Sequence, residues 1–257
     1  MLKKIHYCWL GGKPLPRSVE SCINSWKKHC PDWEIIQWNE KNFPVEEYKW
    51  VQEAIHEKKY AFAADFIRLY VLYNYGGAYC DTDVSFIDNI GKYITQKLVC
   101  GIENHLIGTE DIKYLSPEGY DIRTGQPISH FGMQTGFLYC EPKHPFIYNC
   151  INNVYQNGNR SFCKEDGSHD IIVIDGALIH ELKSFGFIFK DETQYLNPDI
   201  VIYKSNIFAT RKTQDKESCL IHWFDQSWVT DSSLKGRIKR IIKKHLFPLY
   251  RFLNKEL

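Results

Sequence analysis

The sequence predicts a single-domain α/β protein, a mixed sheet flanked by helices, and three observations predict it. Apolar runs of strand length alternate with stretches whose apolar residues recur at helical spacing. The chain opens as strand, helix and strand, the unit from which such sheets grow. Its 257 residues, 44% hydrophobic and 25% charged, suffice for one core and exclude a disordered or fibrous chain.

Taken in order, Lys4 to Trp9 reads as a strand that runs into a tight Gly11-Gly12 loop. Pro16 introduces a helix over Arg17 to His29, and the Pro31-Asp32 turn leads to a strand over Trp33 to Trp38. From Ala61 to Tyr75, Phe62, Phe66, Leu69 and Tyr73 recur at spacings of 4, 3 and 4, a helix stopped by Gly76-Gly77. Ala78 to Asp83 follows as a short buried strand that ends in two acids. Further strands are expected over 99–102, 136–140, 201–203 and 219–223, and helices over 145–155 and 175–182. Residues 104–128, rich in Gly, Asp, Glu and Pro, read as a long functional loop.

The formal charge of +1 conceals a split. Between Lys235 and Leu257 stand eight Lys or Arg and one acid, a local +7, which leaves the rest of the chain at −6. Leu234, Ile238, Ile241, Ile242 and Leu246 fall at helical spacing among these bases. The expected division is therefore a catalytic body over 1–232 and a basic amphipathic tail over 233–257. Residues 234–252 suit an anionic membrane surface rather than nucleic acid, and packing against the acidic body is the alternative. No apolar run reaches bilayer length and no signal stretch opens the chain, so the expected location is cytoplasmic, peripheral on the inner face of the plasma membrane. Nine cysteines, with no Cys-x-x-Cys pair, are expected to be mostly buried, reduced thiols.

Asp81-x-Asp83 is the centre of the chemistry. Two carboxylates at a strand end can share a Mg²⁺ or Mn²⁺ ion that keeps open positions for a diphosphate. Alone, such a pair also fits a solvated turn. The preceding helix sharpens it, because Asp65 and Arg68 are i, i+3 neighbours on one face. Arg68 can neutralise phosphate and Asp65 can accept from sugar hydroxyls, although the spacing also fits a surface ion pair.

The run Ala64-Asp65-Phe66-Ile67-Arg68-Leu69, then Gly76-Gly77-Ala78-Tyr79-Cys80-Asp81-Thr82-Asp83, resembles the signature of glycosyltransferase family 32. These are DXD-containing sugar transferases of the capsular-polysaccharide type, related to the glucosylating domains of large clostridial toxins. Lys4 to Gly12 resembles the family's opening strand, and Ile221 to Trp228 resembles its closing His…Ser-Trp segment.

The resemblance implies a GT-A-like nucleotide-sugar-binding (Rossmann-like) fold. It implies that Trp9 stacks on the base, that Asp81 holds the ribose or sugar and reaches the metal through water, and that Asp83 ligates the metal directly. Asp65 would bind donor-sugar hydroxyls, Arg68 would sit near sugar or phosphate, and Ser227 with Trp228 would close over the diphosphate. His222 would be a metal ligand, with Asp225 as the alternative. Where relatives place an Asn near the reacting carbon, this chain offers Gln134 or Thr135.

The implied reaction is a Mn²⁺- or Mg²⁺-dependent, retaining transfer of a hexose to a glycan or lipid-linked oligosaccharide in surface polysaccharide synthesis. A UDP-sugar (UDP-Gal, UDP-Glc or UDP-GlcNAc) is favoured over GDP-mannose as donor. Two other classes compete. Asp81-Thr82-Asp83-Val84 also fits the nucleophile motif of haloacid-dehalogenase-type phosphatases, and 15% aromatic residues with a cation site would suit a non-catalytic carbohydrate-binding module.

Overall fold

A computed structural model describes residues 1–197 and 199–224. The tail over 233–257 and the expected site residues Asp225, Ser227 and Trp228 lie outside the described residues. Ten strands and five α-helices build the described chain.

β1 (Lys4–Cys8), α1 (Arg17–His29) and β2 (Glu34–Trp38) form the expected opening unit, with β1 and β2 parallel. α2 (Lys49–His56), which the sequence reading leaves unassigned, precedes α3 (Tyr60–Tyr75). Gly76 and Gly77 turn the chain sharply into β3 (Gly77–Cys80). At Gly77 φ is +97°, and a Cβ would lie 2.9 Å from the backbone oxygen of Lys4, so only glycine lets β3 dock beside β1 here.

β4 (Val84–Phe86), β5 (Leu98–Asn104), β6 (Phe131–Cys140), α4 (Pro145–Tyr155), α5 (Ile174–Leu182), β7 (Gln194–Leu196), β8 (Ile200–Tyr203), β9 (Phe208–Thr210) and β10 (Leu220–His222) complete the order. The main sheet runs β2-β1-β3-β6-β5-β8-β7, and a small sheet runs β4-β10-β9. Only β6 and β7 run against the other strands of the main sheet.

α2 to α5 share one hydrophobic core with the large sheet, centred on Trp50, Phe66, Leu72, Leu138 and Phe146. Trp26 of α1 packs on Phe86, and Phe137 on Phe208, so α1 and the small sheet fill a second layer. All nine cysteines are free thiols, eight of them buried. No helix among the described residues is long and apolar enough to cross a membrane.

β6 departs from expectation. It starts at Phe131, not Gly136, and its register against β5 breaks between the Gly101↔Gln134 and Val99↔Tyr139 pairs. Such an irregularity re-aims side chains along a strand. Here it falls immediately after Gln134.

Candidate active site

The carboxyl ends of β1, β3 and β5 and the start of β6 meet at one edge of the sheet. From β1 the strand order departs to β2 on one side and β3 on the other. Such a switch point opens a crevice, and ligands bind in crevices of this kind. Trp9 leaves β1 there and Asp81 leaves β3. Trp9 is half-buried, with its backbone N bonded to Trp38 O and its Nε1 to Lys13 O at 2.6 Å.

A buried histidine fixes this edge. Trp38 Nε1 donates to His6 Nδ1 at 3.0 Å, which leaves the His6 proton on Nε2 to bond Gly76 O at 2.9 Å. Burial holds the His6 pKa below its usual value, so the ring stays neutral. β1, β2 and the turn that delivers Asp81 are thereby locked together.

The backbone then places the acids. Asp81 N donates to Gly136 O at 2.8 Å, Val84 N to Asp81 O at 3.0 Å, and Trp223 N to Asp83 O at 3.0 Å. These bonds tie the turn to β6 and to the end of β10. Asp81, Asp83 and His222 each offer a ligand atom within 4.8 Å of the others. His222 Nε2 lies 3.3 Å from Asp83 Oδ1. Burial works against a charge on His222, but Asp83 outweighs it and pushes the imidazolium up to about 9. Asp225, the alternative ligand, lies outside the described residues.

Arg68 is buried, not a surface partner as its spacing also allowed. Its Nη2 donates to Asp81 Oδ1 at 2.8 Å and its Nη1 faces Asp65 Oδ1 at 3.3 Å. Burial disfavours the guanidinium charge, yet Asp81 and Asp65 hold its pKa above the usual range. Asp65 is raised to about 7, by burial first and by Asp81 and Asp175 after it, against the pull of Arg68. The phosphatase reading also needs a later acidic pair beside Asp81 to hold its metal. Among the described residues no acidic pair from 110–111, 165–166 or 191–192 joins the metal-ligand group.

Several buried polar atoms at this site lack a hydrogen-bond partner in the described chain: Arg68 Nε, Gln134 Nε2, His222 Nδ1 and Tyr155 Oη. Buried polar groups are normally satisfied, so such a concentration points to groups that a bound ligand or ordered water would satisfy. Gln134 Oε1 accepts from Gly136 N at 2.8 Å and lies 3.0 Å from where a Gly136 Cβ would stand, on the side that meets the His222 ring. Thr135 alternates away from that side. No sequence pattern marks Tyr155, Glu103 or Asp175, because each is an ordinary residue of α4, β5 or α5 that only the fold brings here.

Residues 16–101 match the family described as glycosyltransferase sugar-binding region containing DXD motif. Inositol phosphoceramide mannosyltransferase 1 of Schizosaccharomyces pombe is 26% identical over 167 residues, 62% of this chain and 44% of that protein. The chain thus spans less than half the length of that relative. Among solved structures, PaToxG glycosyltransferase superposes with a TM-score of 0.46 at 16% identity, over 71% of this chain and 69% of its own. Galactosyltransferase LgtC, solved with donor and acceptor sugar analogues, gives 0.45 at 12% identity over 94% and 95%. Over residues 16–101, then, the chain is similar to the DXD-containing sugar-binding region of glycosyltransferases, and Asp81-Thr82-Asp83 is the Asp-x-Asp run within that span.

Proposed function

We propose that the chain is a metal-dependent, retaining glycosyltransferase of GT-A-like design that moves a hexose from a nucleotide sugar to a glycan acceptor. The observation that carries this reading is the convergence of Asp81, Asp83 and His222 to within 4.8 Å, with buried Arg68 bonded to Asp81. Two carboxylates and an imidazole suit a divalent cation, and the nitrogen donor favours Mn²⁺ over Mg²⁺. When bound, such an ion supplies Lewis-acid stabilisation of the departing diphosphate.

The chain's own residues do the rest. Arg68 holds Asp81 in place through its 2.8 Å bond, Trp9 offers a ring to the base, and Asp65 accepts from sugar hydroxyls. The family resemblance assigns Ser227 and Trp228, outside the described residues, to the diphosphate. Between Gln134 and Thr135 we assign Gln134 to the reacting carbon, since its amide shares a side of β6 with His222. Preorganised groups of this kind lower a barrier when they favour the separating diphosphate over the intact donor.

A UDP-sugar is the donor we favour, from the toxin-like character of the motifs. GDP-mannose is second, supported by the mannosyltransferase name of the yeast relative. That name also speaks of a lipid, which agrees with a lipid-linked acceptor and with a basic tail that would hold the body at the inner face of the plasma membrane. Deleting residues 233–257 would then abolish binding to anionic vesicles and spare donor hydrolysis.

The test is slow hydrolysis of UDP-Gal, UDP-Glc, UDP-GlcNAc and GDP-mannose. We expect turnover of one donor in Mn²⁺, none in EDTA, and loss in Asp83→Asn. Release of inorganic phosphate from simple phosphoesters, with no nucleotide sugar turned over, would overturn the reading.

A further inference from the structure

On the side of β6 that carries Gln134, its i−2 and i+2 neighbours are both glycine, and other parts of the chain fill the space each leaves. At Gly136 it is the His222 ring, 2.8 Å from where a Cβ would stand. At Gly132 it is Asp175, whose Cβ and Oδ2 lie 3.1 and 3.2 Å from that position. Asp175 comes from the first turn of α5. Glu103 lies directly across from Gly132 on β5, buried and paired with His105 Nε2 at 2.8 Å. Between the two ends, which are at most about 13 Å apart along the strand, the fully buried Gln134 keeps its Nε2 without a partner.

We infer that Asp175 receives hydroxyl groups of the transferred sugar and is a specificity-determining residue of the donor site; the inference rests on the glycosyl-transfer reading above. A nucleotide sugar is a linear arrangement of base, diphosphate and hexose. With the diphosphate at the Asp81, Asp83 and His222 end, the hexose extends toward the α5 end and its far hydroxyls arrive at the partly exposed Asp175. Carboxylates accept strongly from hydroxyls, and they repel a second anion. Asp175, Glu103 and Asp65 make this end acidic. Burial and then Glu103 raise the Asp175 pKa, and Asp175 contributes in turn to the rise at Asp65. Neutral hydroxyl donors relieve that crowding, so this end suits a neutral hexose and disfavours a uronic acid. A second cation would relieve it too, but among the described residues only Asp81, Asp83 and His222 approach as a ligand group.

Calorimetry on the full chain with Mn²⁺ tests this by comparing UDP, GDP and the four nucleotide sugars on wild type, Asp175→Asn and Gly132→Ala. We expect Asp175→Asn to bind the preferred nucleotide sugar about tenfold more weakly, or worse, from loss of charge-assisted hydrogen bonds. Its affinity for the free nucleoside diphosphate should stay within about twofold. Gly132→Ala sets a methyl group 3.1 Å from the Asp175 Cβ and shifts the carboxylate without removing it. It should show the same split, which decides the matter if Asp175→Asn does not fold. Unchanged sugar-nucleotide affinity in both folded variants, or equal loss for diphosphate and sugar nucleotide, overturns the assignment of Asp175. Failure of wild type to bind any of these ligands in Mn²⁺ overturns the glycosyl-transfer reading itself.

Discussion

Arg68 Nη2 donates to Asp81 Oδ1 at 2.8 Å from a side chain only 4% exposed. The bond links the middle of α3 to the first DXD acid across the Gly76-Gly77 turn. The same guanidinium faces Asp65 at 3.3 Å, so one cation serves two acids in a dry setting. Removing one partner of such an arrangement leaves buried charge uncompensated.

Arg68→Ala should therefore destabilise the protein by about 3–5 kcal/mol, the range for broken buried ion pairs. Arg68→Lys keeps the charge but cannot reach both acids with a planar fork, and should cost less. Urea unfolding measures both. A loss in Arg68→Ala under about 1 kcal/mol, typical of exposed pairs, would mean that Arg68 is solvated.

Asp65 supplies a pH signature. Its folded pKa, about 7, stands above the ordinary carboxylate value, so the folded state holds the proton more tightly than the unfolded chain. The associated stability is fully present below about pH 4 and is lost as pH rises through 7. Asp65→Asn removes that penalty while giving up the negative charge and one of the two acceptor oxygens. Its melting temperature should gain on wild type as pH rises from 5 to 8, while donor turnover falls. A gain that shrinks with rising pH would reverse the assigned sign.

The half of the site from α3 to Asp83 was legible because local signals agree there: helical period, a two-glycine stop, a short apolar strand and paired acids. Burial of Arg68 was not. Eight residues of α3 are buried, Phe62, Ala63 and Leu72 among them, so the helix has core on several sides and its polar pair is enclosed. β6 begins five residues before the strand that the sequence predicts, since Phe131-Gly-Met-Gln-Thr mixes apolar, glycine and polar residues. Its polar Gln134 belongs to the site and not to a loop. β4, β7 and β9 are three residues each, and pairing with neighbouring strands rather than propensity defines them.

Glu53 of α2 holds the segment after α4 in place. Its carboxylate accepts from Ser161 Oγ at 3.0 Å, Phe162 N at 2.7 Å and Cys163 N at 2.9 Å. Burial opposes the charge, but these donors more than offset it and lower the pKa. The stabilisation is present above the ordinary glutamate pKa and is lost as pH falls through the lower folded value. Glu53→Gln should cost about 1.5–3 kcal/mol at pH 7, and the difference should close below about pH 4. Equal stability of the two proteins at pH 7 would show that the clasp contributes nothing.

Gly136 tests the metal centre through packing alone. A Cβ there would lie 2.8 Å from both Cε1 and Nδ1 of His222 and 3.0 Å from Gln134 Oε1. Contacts this short force a shift, and β6 backbone is held by the Asp81 N to Gly136 O bond, so the imidazole must move. Gly136→Ala should draw His222 Nε2 away from Asp83 and weaken Mn²⁺ binding by about 10–100-fold, as lost support of a ligand does. Gly176 is the control, because a Cβ on it meets nothing within 4 Å. Calorimetric Mn²⁺ titration should separate the two variants clearly. Wild-type affinity in a folded Gly136→Ala protein would remove His222 from the ligand set and leave the two aspartates to hold the ion with groups beyond residue 224.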